Sequence, residues 1–300
     1  MSDVVKFTDM ENLLFLDSRD LINCVEKHDP FGARRLARDA ARDRLAVVLT
    51  FTTVLESIPR SVDPSYAITF VKRLESIPHV FIPHTEIGRF EFREAVSAFN
   101  SAAGPSHVLP RYMTWASYVS AAAPLLPPPD DVLRQLDAVP LSEHVRSWLA
   151  AGADIEFGDH FRRRIAATVA QNRGVLGSKR AGKSVFSELV ADQLEQDRLS
   201  VPDIDGFIDW LYANPAFCPG WRLMQETFQE FRCDIGAGIA KGDLPDLTHL
   251  LLLPYMRAAT LDRKWREYVN RAKQKLAKQG LTMSYRLFEN LAELKRHWHE

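Results

Sequence analysis

The chain has 300 residues, of which 46% are hydrophobic and 26% charged, and its formal net charge is −1. These proportions are typical of a folded globular protein, and the balanced charge excludes a global positive field that would attract nucleic acid. Three cysteines are too few for a disulfide framework, and the longest apolar runs are too short to span a bilayer. The first residues contain no basic segment followed by an apolar one, so we expect no signal peptide and a cytoplasmic protein without membrane segments.

Short apolar runs alternate with helical segments over the first hundred residues. This alternation is typical of βαβ units and a parallel sheet. The predicted strands are 13–16, 46–50 and 80–82, and the predicted helices are 31–45, 52–58, 64–76 and 86–99.

The pattern changes between residues 100 and 240, where β-branched runs are almost absent and amphipathic stretches joined by Pro or Gly turns predict helices. These helices are expected at 131–150, 157–172, 184–197, 204–213 and 220–238. After Gly242 we expect a helix, a short extended segment and two further helices, at 246–255, 258–261, 263–279 and 284–298. The sequence therefore predicts an α/β domain made of residues 1–99 and 241–300, with an all-helical subdomain, 100–240, inserted in it.

Four acidic residues stand where a parallel sheet would bring them to one edge. Asp17 follows the first predicted strand, Glu56 lies just after the second, and Asp262 follows segment 258–261, while Asp246 opens the helix before that segment. Sites in such sheets form outside the carboxyl ends of the strands. Clustered carboxylates repel one another, and Mg²⁺ or Mn²⁺ with oxygen ligands would neutralise them. The residues alone leave open that each acid is a helix cap or a solvated turn residue.

Three segments resemble the PIN domain family. LFLDSRDLIN resembles the opening strand of PIN domains, VVLTFTTVLESI resembles their second segment, and DLTHLLLLPYMRAATLDRKW resembles the C-terminal signature of a PIN-like subgroup. The third segment is the most specific, and its matching positions are Asp246, His249, Pro254, Tyr255 and Asp262. The resemblance covers residues 10–99 and 240–270. Two positions depart from it, because Arg257 stands where the subgroup commonly has an acid and Leu261 where it usually has Thr, unless Thr260 takes that place.

The resemblance implies a three-layer α/β/α fold and a metal-dependent endoribonuclease that hydrolyses RNA phosphodiester bonds with metal-activated water. Asp17, Glu56, Asp246 and Asp262 would be the catalytic acids that hold Mg²⁺ or Mn²⁺, and Ser18 and His249 would support them. His249 has the alternative of being a helix residue that faces the sheet. The alternative function is a catalytically degenerate PIN-like module that binds RNA or protein. The oligomeric state is left open, a homodimer included.

Basic residues in the middle and near the end of the chain are candidates for contacts with a nucleic-acid backbone, and ordinary solvated helix faces are the alternative. These candidates are Arg162, Arg163, Arg164, Lys179, Arg180, Lys183 and Lys264. Residues 177–184 also match the phosphate-binding pattern GxxxxGK[ST]. No convincing strand precedes that pattern, so we interpret it as a basic turn between two helices and keep nucleotide binding through Lys183 as the weakest alternative.

Overall fold

The computed structural model shows a mixed α/β protein with a five-stranded parallel sheet. The structure describes residues 4–6, 12–26, 32–50, 53–54, 57, 64–101, 104–105, 108–110, 115, 179–234 and 243–297. The strands are β1 (Val4–Lys6), β2 (Leu13–Phe15), β3 (Ala46–Leu49), β4 (His79–Phe81), β5 (Val108–Pro110), β6 (Ala258–Thr260) and β7 (Arg286–Phe288). The helices are α1 (Ser18–Glu26), α2 (Gly32–Arg42), α3 (Pro64–Glu75), α4 (His84–Ser101), α5 (Lys179–Gln196), α6 (Ile204–Ala213), α7 (Pro219–Cys233), α8 (Asp243–His249), α9 (Arg263–Lys278) and α10 (Leu291–Arg296). In the described ranges, 3₁₀ helices span Pro215–Phe217 and Leu250–Tyr255.

The strand order in the sheet is β4-β3-β2-β6-β7, and every neighbouring pair is parallel. Strands β2, β3 and β4 follow one another in one direction from the centre, whereas β6 and β7 extend the sheet from β2 in the other direction. The order therefore reverses between β2 and β6. β1 and β5 pair antiparallel in a separate two-stranded sheet.

Helices cover both faces of the parallel sheet, which explains why β2 (LLF) and β3 (AVVL) are continuous apolar runs rather than alternating ones. Leu13 and Phe15 of β2 point into a core that contains buried residues of α4, α5, α6, α7 and α9. Leu14 and Leu16 point into a second core with α1, α2, α3 and α10. Successive side chains of a strand face opposite sides, so both cores depend on the same short strands.

The three strands predicted in the first hundred residues are confirmed, and so are the helices that became α2, α3 and α4. The prediction of one helix over 284–298 is wrong, because Arg286–Phe288 forms the edge strand β7 and α10 begins only at Leu291. Leu287 pairs with Ala259 of β6, and a three-residue strand leaves no periodic signal. The strands β1 and β5 were not predicted, and β5 lies in the segment expected to be helical.

The described helices of the middle segment are α5, α6 and α7, close to the predicted 184–197, 204–213 and 220–238. Their buried residues share a core with one face of the sheet. The stretches 131–150 and 157–172 lie outside the described residues, and the boundaries of an inserted subdomain stay a prediction. Among the described helices, none has both the length and the apolar character of a membrane span.

Candidate active site

The reversal of strand order between β2 and β6 marks the expected place for a site. In open parallel sheets, ligands bind outside the carboxyl ends of the strands where the order reverses. Asp17 follows β2, and Asp262 follows β6, which pairs directly with β2. These two predicted acids therefore lie at neighbouring strand ends at the switch point, although they are 245 positions apart in the sequence.

Asp17 is fixed by backbone contacts on both sides. Its N–H donates to the hydroxyl of Thr260, the last residue of β6, at 2.9 Å. Its carbonyl accepts from the N–H groups of Asp20 and Leu21 at 2.8 and 3.1 Å, which starts helix α1. The Thr260 side chain is fully buried, so this hydroxyl ties the end of β2 to the end of β6.

Burial raises the pKa of the Asp17 carboxyl above its usual value. The guanidinium of Arg19 acts in the opposite direction, whereas the negative charges of Asp20 and Asp262 raise this pKa further. Asp17 and Asp262 follow strands that pair directly, and their negative charges repel each other. A cation bound between them would relieve both the burial cost and the repulsion.

Asp262 caps helix α9. Its Oδ1 accepts from the backbone N–H of Trp265 at 2.9 Å, in the extended conformation that N-cap residues adopt. The indole Nε1–H of the same Trp265 donates to Oδ2 of Asp246 at 2.8 Å. The tryptophan thus links the third predicted acid to the helix turn that begins at Asp262.

His249, at the end of α8, is buried and packs on the sheet. Its ring lies 5.0 Å from the ring of Phe15, measured between centroids. Its Nε2 lies 3.3 Å from the Thr50 hydroxyl and 3.2 Å from the Thr53 hydroxyl, just beyond the carboxyl end of β3. The side chain therefore faces the sheet and joins α8 to the segment after β3.

The remaining predicted site residues are placed as follows. Glu56 lies outside the described residues, although its neighbours Thr53 and Ser57 are helical, with the Ser57 hydroxyl donating to the Thr53 carbonyl at 2.7 Å. Ser18 is the first residue of α1, next to Asp17. Arg257 precedes β6 and donates its N–H to the carbonyl of Leu13, so it lies at the amino end of the strands, away from Asp17.

Within the described part of the chain, no group of three or more His, Cys, Asp or Glu side chains is arranged to hold a metal ion. Of the predicted acids, Asp17 and Asp262 are the two that directly follow the strands at the switch point. Mg²⁺ commonly binds through one or two carboxylates and completes its shell with water and substrate phosphate. A cation of this open type would need only this pair of carboxylates, whereas the described residues form no closed four-acid cage.

For most of the predicted nucleic-acid contacts, the structure does not describe the side chain. Arg162, Arg163 and Arg164 lie outside the described residues. Lys264 Nζ forms an ion pair with Asp243 at 2.7 Å and lies over the rings of Phe231 and Trp265, so its charge is partly compensated.

Lys179, Arg180 and Lys183 belong to helix α5, which begins at Lys179. A phosphate-binding loop keeps its first residues outside the helix, so that their N–H groups can surround the phosphates. The helical start at Lys179 argues against such a loop. It also differs from the predicted basic turn, because residues 179–184 are helical.

Arg19 was not selected from the sequence, although it stands only two residues after Asp17. Its Nη2 donates to the backbone carbonyl of Glu289 at 2.7 Å. Glu289 directly follows β7, so this side chain crosses from the end of β2 to the end of β7. The sequence feature that could have identified Arg19 is its place in the string LFLDSRD, two residues after the acid that follows the strand.

A buried carboxylate far from the strand ends was also missed. Glu91 of α4 accepts hydrogen bonds from the N–H groups of Gly220 and Trp221, at 2.7 and 2.8 Å, at the start of α7, and from the hydroxyl of Tyr255. Burial raises its pKa to about 7, and these three donors partly offset the increase. Glu91 joins α4, α7 and the 3₁₀ helix that follows α8. The string FEFRE, which suggests a solvated helix, contains no sign of this role.

Comparison of the chain with protein-family models, with curated proteins and with solved structures finds no match.

Proposed function

We propose that the chain is a Mg²⁺- or Mn²⁺-dependent endoribonuclease with a PIN-like fold, in which Asp17 and Asp262 hold the metal ion. The observation that carries this proposal is the placement of the two carboxylates at adjacent parallel strand ends, at the point where the strand order reverses. A parallel sheet with helices on both faces is what the resemblance to PIN domains implies.

The residues of the chain have separable tasks in this proposal. Asp17 and Asp262 bind the cation, and the Thr260 hydroxyl holds the backbone of Asp17 in place. Trp265 orients Asp246 toward the same helix turn. Glu56 is assigned as a further metal ligand on the resemblance alone. A Mg²⁺ or Mn²⁺ ion held by these residues would lower the pKa of a coordinated water and neutralise charge that develops on the phosphate. No covalent intermediate with the protein is needed.

Cleavage of a labelled single-stranded RNA, and of DNA of the same sequence, tests the proposal in Mn²⁺, in Mg²⁺ and in EDTA. Asp17→Asn and Asp262→Asn should abolish metal-dependent cleavage of RNA. Asp203→Asn is the matched control for the second variant, because Asp203 caps α6 in the same way, with its Oδ1 accepting from Gly206 N–H at 2.9 Å. Asparagine is also a good N-cap residue, so both capped helices should persist.

Calorimetric titration with Mn²⁺ gives a readout that does not depend on cleavage. The wild-type protein should bind Mn²⁺ saturably, and the Asp17→Asn/Asp262→Asn protein should not. A wild-type protein that neither cleaves RNA nor binds Mn²⁺ would refute the nuclease proposal.

A second candidate function is a PIN-like module that binds RNA or protein without cleaving it. It is favoured by one observation, namely that the described residues bring no third acid into a metal-binding group with Asp17 and Asp262. RNA binding that persists in EDTA, without Mn²⁺ binding or cleavage, would support this candidate instead.

A further inference from the structure

Arg19 reaches across the carboxyl-end edge of the sheet. It follows β2 by way of Asp17, and its guanidinium donates to the carbonyl of Glu289, the residue after β7. β6 lies between β2 and β7, and neighbouring strands are about 4.8 Å apart. The Arg19 side chain therefore passes over the end of β6, where Asp262 begins helix α9.

The hydrogen bond to Glu289 does not neutralise the positive charge of Arg19, because its acceptor is an uncharged backbone carbonyl. The bond to the Glu289 carbonyl uses one of the five N–H donors of a guanidinium. The Glu289 carboxylate is bound by Arg266 instead, at 3.1 Å. Among the described residues, Arg19 forms no ion pair within 4 Å, and its side chain is exposed. The electrostatic effect of Arg19 on Asp17 is consistent with this position.

We propose that Arg19 binds a backbone phosphate of the single-stranded RNA substrate beside Asp17 and Asp262. A planar guanidinium matches the oxygen geometry of phosphate and binds it in a bidentate manner. Two carboxylates alone would repel a phosphodiester, and an exposed cation held over them gives the backbone a place to bind. This inference rests on the proposed function, because it assigns the substrate contact of the same site.

The test measures binding of a fluorescein-labelled 12-nucleotide RNA by anisotropy in EDTA, over a series of NaCl concentrations. Loss of one phosphate contact to single-stranded nucleic acid should reduce the magnitude of the slope of log K against log [salt] by about 0.7. Arg19→Gln should do this and weaken binding roughly tenfold. Arg19→Lys should keep the slope, because the charge remains, while it weakens binding through loss of the planar fork.

Arg34→Gln is the matched control, because Arg34 is an exposed arginine on α2, which covers one face of the sheet rather than its edge. This variant should bind RNA with wild-type affinity and slope. An Arg19→Gln protein with the wild-type slope would overturn the inference, and so would a wild-type protein that binds no RNA in this assay. Circular dichroism spectra and urea midpoints identical to wild type should show that all three variants are folded.

Failure of this inference is distinguishable from failure of the proposed function. If the wild type cleaves RNA and Arg19→Gln binds and cleaves it equally well, the nuclease proposal stands and Arg19 has no contact with substrate. If the wild type does not cleave RNA but Arg19→Gln reduces the salt dependence, Arg19 is a phosphate contact of a binding module.

Discussion

Replacement of Glu91 by Gln should change how the stability of the protein depends on pH. The carboxyl group is fully buried, and its pKa is raised from 4.5 to about 7. A carboxyl group with a raised pKa in the folded state favours folding when it is protonated. Its contribution to the free energy of unfolding is therefore complete below pH 4.5 and decreases as the pH rises from 4.5 to 7. Above that pH the contribution is lost, and the free energy no longer changes through this group. The change corresponds to roughly 3 kcal/mol.

The neighbouring titratable groups do not obscure this effect. Burial raises the pKa values of Tyr255 and Cys218 well above their usual range, so both stay neutral from pH 4 to 8. The amide that Glu91→Gln introduces cannot ionise. Its NH₂ group is itself a donor, so at every pH it faces one of the three buried donors that Glu91 accepts from. That mismatch costs about 1–3 kcal/mol and does not depend on pH.

Urea denaturation followed by circular dichroism at pH 4.5, 5.5, 6.5 and 8 would measure the effect. The free energy of unfolding of the wild type, relative to Glu91→Gln, should fall by roughly 3 kcal/mol between the lowest and highest pH. Glu94→Gln, an exposed change on the same helix, should show no such trend. A difference between wild type and Glu91→Gln that stays constant with pH would refute the assignment of a raised pKa to Glu91.

Four further changes test the contacts around the strand ends and the start of α7. Gly220→Ala would place a Cβ 2.4 Å from the carbonyl oxygen of Leu251, so it should lower the free energy of unfolding by about 1–3 kcal/mol in the same urea assay. Gly88→Ala, whose Cβ would have its nearest contact at 3.6 Å, should raise the free energy of unfolding by about 0.5–1 kcal/mol. Asp17→Asn should raise the urea midpoint at pH 7, because it removes a carboxylate whose pKa burial raises. This gain should disappear as the pH falls through the raised pKa toward 3.8. A gain that persists below pH 3.8 would contradict the electrostatic explanation. Thr260→Val should cost about 1–3 kcal/mol, because the partly buried Asp17 N–H loses its acceptor, and it should weaken Mn²⁺ binding in calorimetry; unchanged values for both would contradict the positioning role.

The strand-end acids could be predicted because buried parallel strands are short continuous apolar runs, and the residue after such a run lies at a defined edge. Asp17 and Asp262 were found in this way. Glu91 could not be found, because its partners at the start of α7 are about 130 residues away and its own helix contains other charged residues. The position of His249 against Thr50 and Thr53 likewise depends on how α8 packs against the segment that follows β3.

The end of the chain shows the same limit. Residues 284–298 have enough helix-forming residues to suggest a single helix, but β6 presents an unpaired edge that Arg286–Phe288 completes. Asn290 then caps the shorter α10 through its side chain. Pairing between distant segments thus overrides local preference at positions that no local pattern identifies.

The hydrogen bond from Asp17 to Thr260 joins residues 243 positions apart, and this separation has a consequence for how the protein is made. Strands β2, β3 and β4 are synthesised well before β6, which cannot pair with β2 until translation has passed Thr260. The central strand therefore waits with one edge unpaired, which favours slow folding and exposes the growing chain to aggregation. The two strand-end carboxylates come together only when β6 pairs with β2, so a nascent chain that stops short of β6 has no assembled site.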